Sequence, residues 1–171
     1  TPEGLKPLLL MAFGDEPKPE AQKALASLRQ RGIKLVMISG DNTMAAQAMG
    51  RKLGLKPEQG EVQANVLPQQ KAAEIEKLKK DHGSRVVAMV GDGVNDAPAL
   101  ALAHVGIAMG TGTDVAMHAS DLTIISGDLR LVADAILLSR ATLRTITTNV
   151  FWAFAYNTAA IPLAALGYLN P

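Results

Sequence analysis

Residues 86–100 read Val86-Val87-Ala88-Met89-Val90-Gly91-Asp92-Gly93-Val94-Asn95-Asp96-Ala97-Pro98-Ala99-Leu100. The five leading apolar residues do not alternate with polar ones. That pattern predicts a strand buried on both faces, as a parallel sheet requires. Two glycines then permit a tight turn and close backbone approach. A short helix is predicted over Ala97–Ala103. Strand, polar turn and helix in this order are the parts of a βαβ crossover, and ligands of such folds sit at the carboxyl ends of the strands.

The same unit recurs on both sides. Leu8–Phe13 and Ile33–Ile38 read as buried strands. Between them, Pro19–Arg31 carries Ala21, Ala24, Leu25 and Leu28 at helical spacing and is followed by Gly32. Ser39-Gly40-Asp41-Asn42 breaks the second strand, and a helix follows to about Leu53, with Gly54 as its stop. Val62–Val66 is a short strand, and Gln69–His82 is an amphipathic helix with Ala72, Ile75 and Leu78 on one side. Val105–Met109 and Leu122–Ile125 read as further strands, separated by a helical Asp114–Ala119. The fold class is α/β with a Rossmann-like parallel sheet. Its polar turns should gather Ser39, Asp41, Asp92, Asn95 and Asp96 at one edge.

Composition narrows the function. The 171 residues carry 17 Lys+Arg against 16 Asp+Glu, a net charge of +1, without the basic excess of a nucleic-acid binder. There is no cysteine, which excludes disulfides and thiolate metal sites within the chain. The start, Thr1-Pro2-Glu3-Gly4, has neither Met nor a signal segment and reads as a piece of a longer protein. Mean hydropathy is +0.14, and the apolar excess is concentrated at the end. No charged residue follows Arg144. Leu129–Ile146 predicts a long amphipathic helix with Arg130, Arg140 and Arg144. Thr145–Leu169 as a helix would reach roughly 37 Å, enough for a bilayer core. Trp152 and Tyr168 suit the two interfaces, and Arg140 and Arg144 would face the cytoplasm. The expected organisation is a phosphate-chemistry domain over 1–128, a connecting helix over 129–148 and a transmembrane helix over 149–169.

Asp92 and Asp96 are two carboxylates four residues apart at a strand end. Magnesium takes oxygen ligands and keeps several waters, so such a pair beside a phosphate makes a metal clamp for phosphoryl transfer. A plain Asp-Gly turn with Asp96 as helix cap is the duller reading of Gly91-Asp92-Gly93 alone. Gly110-Thr111-Gly112-Thr113-Asp114 lacks the third glycine of a dinucleotide fingerprint and reads as a structural loop.

The string from Met89 to Leu100 resembles the hinge motif of P-type cation-transporting ATPases, within the haloacid-dehalogenase-like superfamily. Ile38-Ser39-Gly40-Asp41-Asn42 resembles that family's Thr-Gly-Asp motif, with Ser39 in place of Thr but keeping the hydroxyl. Val66-Leu67-Pro68-Gln69-Gln70-Lys71 resembles the segment whose lysine steadies the phosphoaspartate, with Gln69-Gln70 replacing a common acidic pair. Gly14-Asp15-Glu16-Pro17-Lys18-Pro19-Glu20-Ala21 resembles the re-entry segment after the nucleotide-binding domain. The resemblance covers essentially the whole chain. It implies that Asp92 and Asp96 hold Mg2+, that Ser39 and Lys71 neutralise phosphoryl oxygens, and that Gly40, Asp41 and Asn95 support phosphate or ATP. No Asp-Lys-Thr nucleophile motif occurs, so the phosphoryl acceptor is expected upstream of residue 1.

Tyr156-Asn157 and Ile161-Pro162 resemble a membrane helix of the copper(I)/silver(I)-exporting branch, where a Tyr-Asn pair belongs to the transport site. Soft sulfur ligands for Cu(I) would come from helices outside this chain. Implied partners are the rest of the pump (nucleotide-binding, actuator and other membrane segments) and the lipid bilayer. The implied location is the cell membrane, with the soluble part cytoplasmic. Two rivals stand beside this reading. One is an anchored phosphatase of the same superfamily, which needs an Asp-x-Asp on its first strand. The other is a non-catalytic binding module.

Overall fold

Short apolar strands that pair in parallel, each followed by a helix, organise the residues before Leu131. A computed structural model of the chain describes residues 16–81, 83, 85–110 and 114–167. The expected first strand, Leu8–Phe13, and Asp15 lie outside the described residues, as does Tyr168. The chain divides into two compact units, Thr1–Arg130 and Leu131–Pro171.

In the first unit, α1 (Pro19–Gln30) precedes β1 (Met37–Ile38), and α2 (Thr43–Lys52) leads to β2 (Val62–Gln63). Then α3 (Pro68–Asp81) leads to β3 (Ala88–Gly91). A short α4 (Ala97–Leu102) precedes β4 (Val105–Met109), and α5 (Asp114–His118) precedes β5 (Leu122–Ile124). All observed pairings are parallel, as the uninterrupted apolar runs require. The predicted single sheet appears instead as two ladders among the described residues: β1 with β2, and β3-β4-β5 in that order. The first ladder is shorter than expected for local reasons. The Ile33 N–H turns back to the Leu28 carbonyl (3.2 Å) to close α1. Asn65 adopts a left-handed φ of 56° and ends β2.

The core of the longer ladder is Leu100, Ala108 and Ala116, with Met89, Met117 and Ala119 packed against it. Backbones approach closely there. A Cβ on Gly106 would lie 2.6 Å from the Leu100 carbonyl oxygen, so only glycine lets α4 rest on β4. The start of β4 is also locked to the segment entering β5. Gly106 donates its N–H to Asp121 Oδ2 at 2.8 Å, and Asp121 returns its N–H to the Gly106 carbonyl at 2.9 Å. At the other end of the unit, Arg29 donates to the Gly54 carbonyl (2.9 Å) and to Glu61, joining the ends of α1 and α2. Side-chain and backbone hydrogen bonds from Arg130 hold the Asp128 carboxyl below its ordinary range.

The second unit is built on α6 (Arg130–Ala165), a 36-residue helix with Pro162 inside it. The connecting helix and the proposed span thus run as one element to Ala165. The transmembrane expectation for 149–169 finds no support here: among the described residues, no helix is long and apolar enough to cross a membrane. Asn149, Tyr156, Asn157, Thr158 and Pro162 interrupt the apolar run, and many of the remaining positions are alanine. The Thr145 and Thr147 hydroxyls donate to the carbonyls of Ala141 (3.1 Å) and Leu143 (2.8 Å), four residues earlier, and so stay on their own helix.

Gly106→Ala is expected to destabilise the chain by about 1–3 kcal/mol, the usual cost of overpacking against backbone. Urea denaturation of the two forms checks this; an unchanged midpoint would show that the contact between α4 and β4 is not tight.

Candidate functional site

Ser39 follows β1, and its N–H continues the ladder by donating to the Gln63 carbonyl at 2.9 Å. Its hydroxyl donates to Asp41 Oδ2 at 2.8 Å and accepts the Asp41 N–H at 3.1 Å. The resulting polar turn is held from the other side. The Asn65 N–H donates to the Asp41 carbonyl at 2.8 Å, and the Val66 N–H to the Ser39 carbonyl at 3.0 Å. Asn42 then caps α2, accepting the Ala45 N–H at 3.0 Å. Gly40 and Asp41 are exposed. The predicted phosphate hydroxyl is therefore present at a strand end, with its proton committed to Asp41.

The second loop follows β3. Gly91 closes the strand, Asp92 projects from the turn, and Val94–Asp96 form one turn of 3-10 helix before α4. Asp96 is buried, with 8% exposure. Its Oδ1 lies 2.7 Å from Lys71 Nζ, and its Oδ2 accepts the Gly93 N–H at 3.4 Å. A Cβ on Gly91 would sit 2.8 Å from Asp96 Cβ, so the glycine makes room for the carboxylate. Asp92 and Asn95 are exposed, and no hydrogen bond of their side chains occurs among the described residues.

The segment from Val66 to Lys71 ties the loops together. One end is pinned to Ser39 by backbone, and the other reaches Asp96 by an ammonium group. Between them α3 begins, with Pro68 as its first residue. Gln70 accepts the Leu67 N–H at 3.0 Å, the return half of a capping box. Gln70 was noted in the sequence only as half of the Gln69-Gln70 pair and not as a cap, although a Gln three residues into a Pro-started helix is the signal for it. Gly91 was likewise noted only as a turn residue.

A magnesium ion fits this donor set in part. Among the described residues no group of three or more His, Cys, Asp or Glu could hold a metal. Magnesium, however, is usually bound by one or two carboxylates with waters and phosphate. The Asp92 carboxylate is open, while Asp96 is engaged by Lys71 and Gly93. Tyr156 and Asn157 lie on α6 in the other unit. Tyr156 is exposed, and Asn157 Nδ2 donates to the Ala153 carbonyl at 2.9 Å, leaving its amide oxygen as the available ligand atom.

Comparison with known proteins adds identity to this geometry. Residues 4–104 match the haloacid dehalogenase-like hydrolase family. A probable copper-exporting P-type ATPase V of Mycobacterium tuberculosis is 56% identical over 95% of this chain and 20% of its own length. A probable copper-importing P-type ATPase A of Enterococcus hirae is 49% identical over 95% of this chain and 22% of its own length. The crystal structure of a zinc-transporting PIB-type ATPase superposes with a TM-score of 0.81 at 37% identity, covering 92% of this chain and 25% of that one. The chain spans about a fifth of the length of the curated relatives it matches.

Gln70→Ala is expected to cost about 0.5–1 kcal/mol, the net worth of one hydrogen bond, and Gln70→Glu much less because it keeps the acceptor. Equal losses for the two variants in urea denaturation would remove the capping role.

Proposed function

The chain belongs to the haloacid dehalogenase-like hydrolase family, and from that premise we propose that it is the later part of the phosphorylation domain of an ATP-driven heavy-metal export pump. Residues 1–128 form the phosphate-handling part and 129–148 the connecting helix. The pump works through an aspartyl phosphate whose aspartate is not in this chain. Asp92, supported by Asp96, would hold Mg2+, which offsets charge on the phosphoryl group when bound. Ser39 and Lys71 would meet the phosphoryl oxygens, while Gly40, Asp41 and Asn95 shape the loops that receive phosphate or nucleotide.

The observation that carries this reading is the joining of two strand-end loops by one short segment. Val66 holds Ser39, and Lys71 holds Asp96. A hydroxyl, an ammonium and two carboxylates on one scaffold suit phosphoryl transfer, which is mainly positioning and charge stabilisation. A self-contained phosphatase is less well supported, because the curated relatives at 49% and 56% identity are P-type ATPases.

Cu(I), with Ag(I) as its close analogue, is the proposed cargo. Identity to the copper-transporting relatives, 49% and 56%, exceeds the 37% to the zinc-transporting structure. Tyr156 and Asn157 are proposed ion contacts, completed by sulfur ligands from other segments. Phe151, Trp152, Phe154 and Ile161 are each more than half exposed on α6. Apolar surface on that scale supports burial against the remaining segments of the pump. The phosphate loops would face the cytoplasm, where ATP and Mg2+ are found.

The test is transfer of labelled γ-phosphate from ATP to the full-length parent protein. Cu(I) should stimulate formation of a hydroxylamine-sensitive acyl phosphate, and Asp92→Asn should lower it by about 100-fold. Label in a hydroxylamine-resistant form, or stimulation by Zn2+ but not Cu(I), would overturn the mechanism or the cargo respectively.

A further inference from the structure

Asp96 is buried, yet the carboxylate proposed to support Mg2+ already holds a cation. Lys71 Nζ sits 2.7 Å from Oδ1, and the two side chains are 20% and 11% exposed. A divalent ion on the same carboxylate would stand within a few ångströms of that ammonium, in surroundings that screen like charges poorly. Mg2+ on Oδ2 beside the ammonium on Oδ1 would put two like charges on one carboxylate and weaken the hold of each. Lys71 has the means to leave. Its position on α3 is fixed by Gln70 and Pro68 rather than by its own head group, and its stem is four flexible carbons.

We propose that Lys71 is an exchangeable counter-ion. It neutralises Asp96 while the metal is absent and gives the carboxylate up when Mg2+ binds. The released ammonium is then free for the phosphoryl oxygens. One group thus serves two anions in succession, and the buried carboxylate is never left uncompensated. This rests on the reading of Asp92 and Asp96 as magnesium ligands, and the experiment separates the two ideas.

The measurement is Mg2+ binding to the chain by titration calorimetry, without nucleotide, for wild type, Lys71→Met and Asp92→Asn. Exchange predicts that Lys71→Met binds Mg2+ about tenfold more tightly, which corresponds to about 1.4 kcal/mol. The variant should melt at lower temperature than wild type when metal-free and recover as Mg2+ is added. Asp92→Asn should bind more weakly. Unchanged or weaker binding by Lys71→Met, with normal binding by wild type, would make the ion pair a fixed strut and leave the magnesium reading intact. Absence of binding in both would remove the magnesium reading and the exchange with it.

A second readout needs no variant that must fold. In wild type, acetylation of Lys71 by an amine-reactive reagent, followed by mass spectrometry, should rise severalfold on adding Mg2+, while exposed Lys34 stays constant as reference. Equal reactivity of Lys71 with and without Mg2+ would overturn the exchange.

Discussion

A carboxylate removed from water must meet a cation or donors, or it destabilises the fold around it. Among the described residues this constraint falls on Asp96, buried at 8% exposure in the second loop. Several neighbouring features follow from it. Gly91 is needed because any Cβ would press on Asp96. The Gly93 N–H faces the carboxylate, and Lys71 must arrive from α3, 25 residues earlier. For Lys71 to arrive there, α3 must start at a defined place, which Pro68 and Gln70 arrange. The cation that one buried side chain requires is thus delivered by a helix whose start is fixed independently of it.

That helix start also governs the first loop. Val66, just before it, is buried and bonded to Ser39, and Asn65 takes a left-handed turn to bond Asp41. The two ladders need no hydrogen bond to each other for their loops to be coordinated, since the chain from Asn65 to Lys71 does the joining. Short strands suffice because the side chains that matter lie just past their ends.

Much of this was legible in the sequence, and what was not has physical causes. Apolar runs without alternation gave β4 at Val105–Met109, and helical spacing with Pro and Gly punctuation gave α1 within a residue. Ser39, Asp92 and Asp96 were singled out from their placement after strands, and Lys71 from family resemblance; the structure gives Ser39, Lys71 and Asp96 the contacts described above. The partnership of Lys71 with Asp96 was not legible, because spacing along a chain carries no information about contacts made through tertiary packing. Ile33–Ile38 read as one strand, but pairing depends on a neighbour, and only Met37–Ile38 find one in β2. The apolar end is less legible. Absence of charge is not the same as apolarity, and Asn, Thr, Tyr and Pro lower the apolarity of α6 without adding a single charge, so that among the described residues no helix is long and apolar enough to cross a membrane.

The choice of lysine at position 71 is itself informative. An arginine would meet Asp96 through a planar fork with two parallel hydrogen bonds, a geometry suited to a permanent pair. A lysine offers a point charge on a flexible stem, weaker in geometry but free to redirect. If the pair served stability alone, the more rigid partner would serve better. A site that must stabilise a carboxylate in one state and a phosphoryl group in another needs a cation that can be reassigned. Lysine supplies this at little structural cost, because the first turn of α3 is held by Gln70 and not by the ion pair.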